Sequence, residues 1–173
     1  MTTIKAEAVK EILETAGFTS DTYVQMEDGR YDHIERIKAG DKVLSRCALT
    51  GEVACKKVLK TFEHEDMPCY YVKYLKGRGI DPVGVVNATE KQLFWVRGKG
   101  WMAVCDLQSG DELESDDETR TTITSVLPTP YETYVYNLHV EDFHTYFVGS
   151  SSVWVHGHVA AAQAALRVKH SLP

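Results

Sequence analysis

A chain of 173 residues, 43% of them apolar, can bury one core and is short for two large domains, so one globular domain is expected. A formal charge of −6, a pI near 5.6 and 19 scattered basic residues give no general pull toward nucleic acid or anionic lipid, and neither is expected as a partner. No apolar run reaches bilayer-spanning length and the N-terminus lacks the basic-then-apolar pattern of a secretory signal, so a soluble, cytoplasmic monomer is expected.

Residues 1–16 read as a helix: Thr2 or Thr3 can cap it, Ile4, Ala8, Val9, Ile12 and Leu13 share one apolar face, and Gly17 can end it. From Phe18 the period changes to two. Strands are expected over 22–26, 41–45, 53–62, 69–74, 83–88, 93–96, 101–104, 121–127, 135–140, 145–148 and 153–155. Turn residues separate them at Glu27-Asp28-Gly29, Thr50-Gly51-Glu52, Gly98-Lys99-Gly100 and the loop from Lys76 to Pro82. The segment Gly110 to Arg120 holds six acidic residues and reads as a solvated, mobile loop. After His158, the run Ala160 to Ala165 has strong helix propensity.

The four cysteines contain no Cys-x-x-Cys and the seven histidines no His-x-x-x-His, so zinc spacing is absent and no metal or cofactor is expected. Cys47 and Cys55 are placed symmetrically about Thr50-Gly51-Glu52, and a hairpin with a three-residue loop would set them face to face. A disulfide there is geometrically open, although two reduced cysteines packing as small apolar residues is the preferred reading.

An internal repeat adds to the strand pattern. Ile37-Lys38-Ala39-Gly40-Asp41-Lys42-Val43-Leu44 is echoed by Leu107-Gln108-Ser109-Gly110-Asp111-Glu112-Leu113, and the same offset pairs Val24 with Phe94, Tyr31 with Trp101 and Ile34 with Val104. Two similar β halves sharing one core are implied.

Four blocks then carry a family resemblance: Phe18 to Val24 with Asp28-Gly29, Ile34 to Ser45, Ala88 to Leu113, and Val135 to His156. In this order they resemble a Hint domain, the self-processing fold of inteins, bacterial intein-like domains, Hedgehog autoprocessing domains and the pre-toxin domains of polymorphic toxins. The resemblance implies an all-β, horseshoe-shaped fold with pseudo-twofold halves, here spanning 17–157 between flanks 1–16 and 158–173. It also implies autocatalytic peptide-bond cleavage or splicing without a cofactor. A first-position cysteine attacks the preceding carbonyl, a Thr-x-x-His motif supports that amide, and a terminal Asn cyclises while the histidine before it donates a proton.

The chain departs from that pattern at three positions. Gly17 stands where the nucleophile belongs and has no side chain. The Thr-x-x-His motif reads Thr89-Glu90-Lys91-Gln92, and the Gln92 amide can donate a hydrogen bond but cannot shuttle a proton. Gly157 replaces the cyclising Asn. Thr89, His144 and His156 remain at matching accessory positions, whereas His33, His64, His139, His158 and His170 read as surface or packing residues.

Two readings follow. One is a self-processing domain that cannot cleave as written, either a trapped precursor or a natural pseudoenzyme, with its own flanking segments as partners. The other is a retired scaffold that binds a toxin or host protein.

Overall fold

The computed structural model describes residues 15–77 and 83–158, and among these the regular elements are twelve strands and two short 3-10 turns. The fold is all-β, as expected. The expected helix over 1–16 and the Ala-rich helix after His158 lie outside the described residues, apart from Thr15 and Ala16.

The strands are β1 (Phe18–Thr19), β2 (Tyr23–Gln25), β3 (Tyr31–His33), β4 (Lys42–Arg46), β5 (Val53–Lys76), β6 (Val83–Thr89), β7 (Leu93–Val96), β8 (Gly100–Ala103), β9 (Glu112–Leu113), β10 (Thr121–Val140), β11 (Thr145–Val148) and β12 (Val153–His156). They pair antiparallel in the order β3-β2-β11-β12-β7-β9-β10-β1-β6-β5-β4, with β8 on β7 and β10 also on β5. Four of the expected strands are fused into two. The segments 53–62 and 69–74 join as β5, of 24 residues, and 121–127 and 135–140 join as β10, of 20 residues. These long strands pair with each other from Thr121↔Lys76 to Val140↔Val58. Pro128 and Pro130, in the stretch that joins 121–127 to 135–140, fall at a register shift between Pro128 and Glu132. An irregularity there absorbs the missing donors without ending the ladder.

The repeat is carried into the hydrogen bonding. Ile34 N donates to Thr22 O at 2.8 Å and Val104 N to Gln92 O at 3.0 Å. Gly40 N donates to Val58 O and Gly110 N to Ile123 O, both at 2.8 Å. In each Gly-Asp pair the aspartate folds back onto the N–H three residues earlier, Asp41 onto Lys38 and Asp111 onto Gln108, both at 2.9 Å. Gly40 and Gly110 have φ of +97° and +94°, which makes glycine the favoured residue before each aspartate. The bridge Met26↔Val43 recurs as Val96↔Leu113, and Phe18 pairs with Ala88, its own counterpart in the repeat.

Two local expectations are corrected. In the β4–β5 hairpin Leu44 faces Cys55, while Cys47 N donates to Glu52 O at 2.8 Å, so the two cysteines are three positions out of register and they form no disulfide. The hairpin turns one residue and a half earlier than a three-residue loop centred on Gly51 would place it. The acidic segment is also not simply solvated. Asp111 is buried and paired with Lys99 at 2.7 Å, Glu114 lies between Arg97 and Arg46, and Ser115 bridges to Val153. The charges that looked like a loop signature are used to close β9 and its continuation against neighbouring strands.

The core is centred on Phe18, Phe94 and Tyr146, whose rings meet edge to face at 6.0 and 6.1 Å. A second buried aromatic, Tyr74, crosses its cross-strand partner Gly84, where an added Cβ would lie 2.1 Å from the ring. Gly84→Ala must therefore expel the Tyr74 ring, and a loss of about 3 kcal/mol is expected in urea unfolding. A midpoint unchanged from that of the native chain would contradict this packing.

Candidate functional site

The two ends of the domain converge on one stretch of β10. Phe18 of β1 pairs with Tyr136, and His158, just beyond β12, donates its N–H to Leu138 O at 2.8 Å. Tyr136 and Leu138 are two positions apart, so the entering and leaving chains lie within about 7 Å of each other along that strand. Asn137, between them, faces the protein interior.

At the entry, β1 is only two residues long and is held between β10 and β6. Thr89, at the end of β6, donates its N–H to Gly17 O at 3.0 Å. Its hydroxyl is buried and has no hydrogen-bond partner among the described residues. The carbonyl before Gly17 is held separately: Asn137 Nδ2 donates to Ala16 O at 3.2 Å. Asn137 Oδ1 accepts from Tyr146 Oη at 2.7 Å and from the N–H of Leu138 at 2.9 Å. Gly17 itself has no room on its Tyr136 side, where a Cβ would sit 2.8 Å from Tyr136 O.

At the exit, Gln92 is fully buried and donates from Nε2 to His156 O at 2.9 Å and to Leu93 O at 3.0 Å. Its Oε1 has no hydrogen-bond partner among the described residues. His156 is buried at the end of β12, with Nδ1 2.7 Å from Gly157 O, a contact suited to an Nδ1–H tautomer donating to that carbonyl. Its ring stands edge-on to Trp101 at 5.0 Å. Gly157 N donates to His144 O at 2.8 Å. His144 occupies the turn before β11 at a φ of +58°, with its ring stacked on His139 at 5.6 Å. Burial holds the His139 imidazole below its usual pKa.

All six positions singled out from the sequence, Gly17, Thr89, Gln92, His144, His156 and Gly157, thus contact one another or a shared neighbour. Gly17 meets Thr89, and Gln92, His156, Gly157 and His144 form a chain of contacts. Tyr146 joins the two groups: it bonds to Asn137, its ring meets Phe18, and its edge lies 3.2 Å from where a Gly157 Cβ would be. The sequence pattern singled out neither Asn137 nor Tyr146. The sequence carried no signal for Asn137, because it alternates in phase with His139 between Tyr136, Leu138 and Val140 and so reads as a residue of the polar face.

Chemically, two peptide carbonyls, Ala16 O and Gly157 O, each face a side-chain donor, Asn137 and His156 respectively. No thiol, hydroxyl or amide side chain belongs to residue 17 or residue 157 to attack them. Among the described residues no group of three or more His, Cys, Asp or Glu is placed to hold a metal ion.

Comparison with known proteins agrees with this architecture. The family described as the pretoxin HINT domain matches residues 23–158. The solution structure of a bacterial intein-like domain from Clostridium thermocellum is 32% identical, with a TM-score of 0.71 over 81% of this chain and 97% of that one. The DnaB intein of Synechocystis sp. PCC 6803 has the same fold at 17% identity, with a TM-score of 0.69 over 84% of this chain and 100% of that one. The gp41-1 intein is 22% identical, with a TM-score of 0.63 over 82% of this chain and 98% of that one. No curated protein matches.

Proposed function

The chain belongs to the pretoxin Hint domain family, and from that premise we propose that it is a self-processing domain unable to cleave as its sequence stands, so that both flanking segments stay joined to it. The observation that carries this reading is the pairing of held carbonyls with absent attackers. Ala16 O accepts from Asn137 and Gly157 O faces His156, while residues 17 and 157 are glycines. The polarising half of the site is kept and the nucleophilic half is gone. Without a side-chain nucleophile at residue 17 or 157, neither an acyl shift at the first carbonyl nor cyclisation at the second can take place.

Gln92 fits the same reading. It holds the His156 carbonyl by hydrogen bonding, as a donor should, yet a neutral amide supplies no proton to a departing nitrogen near neutral pH. Thr89 and His144 keep their backbone contacts at the two ends. The convergence of those ends on Tyr136 and Leu138 favours a domain that keeps its flanks side by side, in the toxin setting that the pretoxin family name suggests.

The test is intact mass. Incubated with dithiothreitol or hydroxylamine, the chain is expected to remain a single species of 19.4 kDa. A fragment ending at Ala16 would overturn the proposal.

A further inference from the structure

Asn137 makes three hydrogen bonds, and their polarity leaves its amide one orientation. The backbone N–H of Leu138 can only donate, so the atom 2.9 Å from it must be the Asn137 oxygen. Tyr146 Oη, 2.7 Å from the same oxygen, therefore donates as well, and the amide nitrogen must point at Ala16 O, 3.2 Å away. Tyr146 and Asn137 are buried, so water does not compete for these groups, and burial keeps the phenol protonated by raising its pKa well above the usual range. Tyr146 is also packed against Phe18, one residue beyond Gly17, and so is fixed relative to the same peptide bond.

We infer that Asn137 is the electrophile-polarising group of the Ala16–Gly17 bond and that Tyr146 is its positioning residue, aiming the amide at the Ala16 carbonyl oxygen. The inference rests on the reading of residues 16 and 17 as the processing junction. A preorganised neutral donor at that oxygen stabilises the oxyanion formed when a nucleophile adds to the carbonyl carbon. In a Gly17→Cys chain the step balances without any cofactor. The introduced sulfur bonds to the Ala16 carbonyl carbon, the carbon–nitrogen bond to residue 17 breaks, and the thiol proton ends on the freed amine. Dithiothreitol then displaces the sulfur and releases residues 1–16 as its thioester.

Two measurements test this. The sequence contains two Ala-Gly bonds, Ala16-Gly17 and Ala39-Gly40, so labelling alanine carbonyls with carbon-13 and glycine nitrogens with nitrogen-15 yields one signal for each junction. In the otherwise native chain, Tyr146→Phe and Asn137→Leu should each move the Ala16 carbonyl upfield, as loss of a hydrogen bond does, and leave Ala39 in place. Tyr146→Phe retains the ring and its packing, so it decides the matter if Asn137→Leu fails to fold. An unmoved Ala16 signal in the folded Tyr146→Phe protein would overturn the inference. In the Gly17→Cys background, Asn137→Leu should slow thiol-dependent release by about a hundredfold, the scale for one oxyanion donor, and Tyr146→Phe by about tenfold. Equal rates would overturn it too. If Gly17→Cys alone releases nothing, the reading of the junction fails, while the carbonyl signal still decides whether Asn137 polarises Ala16.

Discussion

Gly17→Cys is expected to turn an inert chain into one that loses residues 1–16 in dithiothreitol, and Gly17→Cys/Gln92→His is expected to do so about a hundred times faster or more. The ordering follows from what each side chain supplies. The thiol provides the missing nucleophile beside a carbonyl already held by Asn137. Gln92, whose N–H donates to Thr89 O at 3.2 Å while Thr89 N–H donates to Gly17 O, provides hydrogen bonds but no proton, and general acid catalysis by an imidazole in that place contributes about 10²- to 10⁴-fold. The first substitution also has a structural cost. A Cβ at residue 17 would lie 2.8 Å from Tyr136 O, so β1 must move a few tenths of an ångström off β10, at about 1–3 kcal/mol. Release rates are therefore compared at a temperature where unfolding melts show both variants folded. A folded double variant that stays intact would show that more than nucleophile and acid has been lost.

Gly157→Ala is expected to be the more damaging change to stability, although it adds one methyl group. Its Cβ would lie 2.5 Å from Leu138 O, 3.1 Å from His144 O and 3.2 Å from the Tyr146 ring. Both oxygens belong to the backbone and both accept hydrogen bonds, from His158 N and Gly157 N, so neither can rotate aside. Relief requires moving the chain at 157–158 off β10, and a loss of about 3 kcal/mol or more is expected, a fall of roughly 6–12 °C in Tm for a chain of this length. Leu49→Ala, at a site 90% exposed, serves as the control and should change stability by less than about 0.5 kcal/mol. A Gly157→Ala melt matching that control would mean the exit is more open than these contacts allow. The same crowding applies to an asparagine at residue 157, so restoring C-terminal cleavage should be harder than restoring attack at residue 17.

Much of the fold was legible because it is written in short-range signals. Turn glycines and period-two runs marked most strand positions, and the repeat of Gly40-Asp41 in Gly110-Asp111 marked two halves whose turns prove to share the same hydrogen bonds. The site positions were legible from ordered blocks, because a family motif fixes neighbours along the chain. The failures share one cause. The segments 121–127 and 135–140 read as separate strands because one strand cannot show that its partner tolerates an irregularity between them, at Pro128 to Glu132. Asp111 and Glu114 looked solvated because their partners approach from elsewhere in the chain, Arg97 and Lys99 from the turn between β7 and β8 and Arg46 from β4.

Composition and pattern alone thus settled that the chain is β-rich, internally repeated and without a side-chain nucleophile at residues 17 and 157. They could not assign Asn137, because its role depends on Ala16, 121 residues away, and on Tyr146 reaching across from β11. Hydrogen-bond polarity at a buried amide is set by whichever donors the fold brings to it, and those donors come together only when β1, β10 and β11 are assembled.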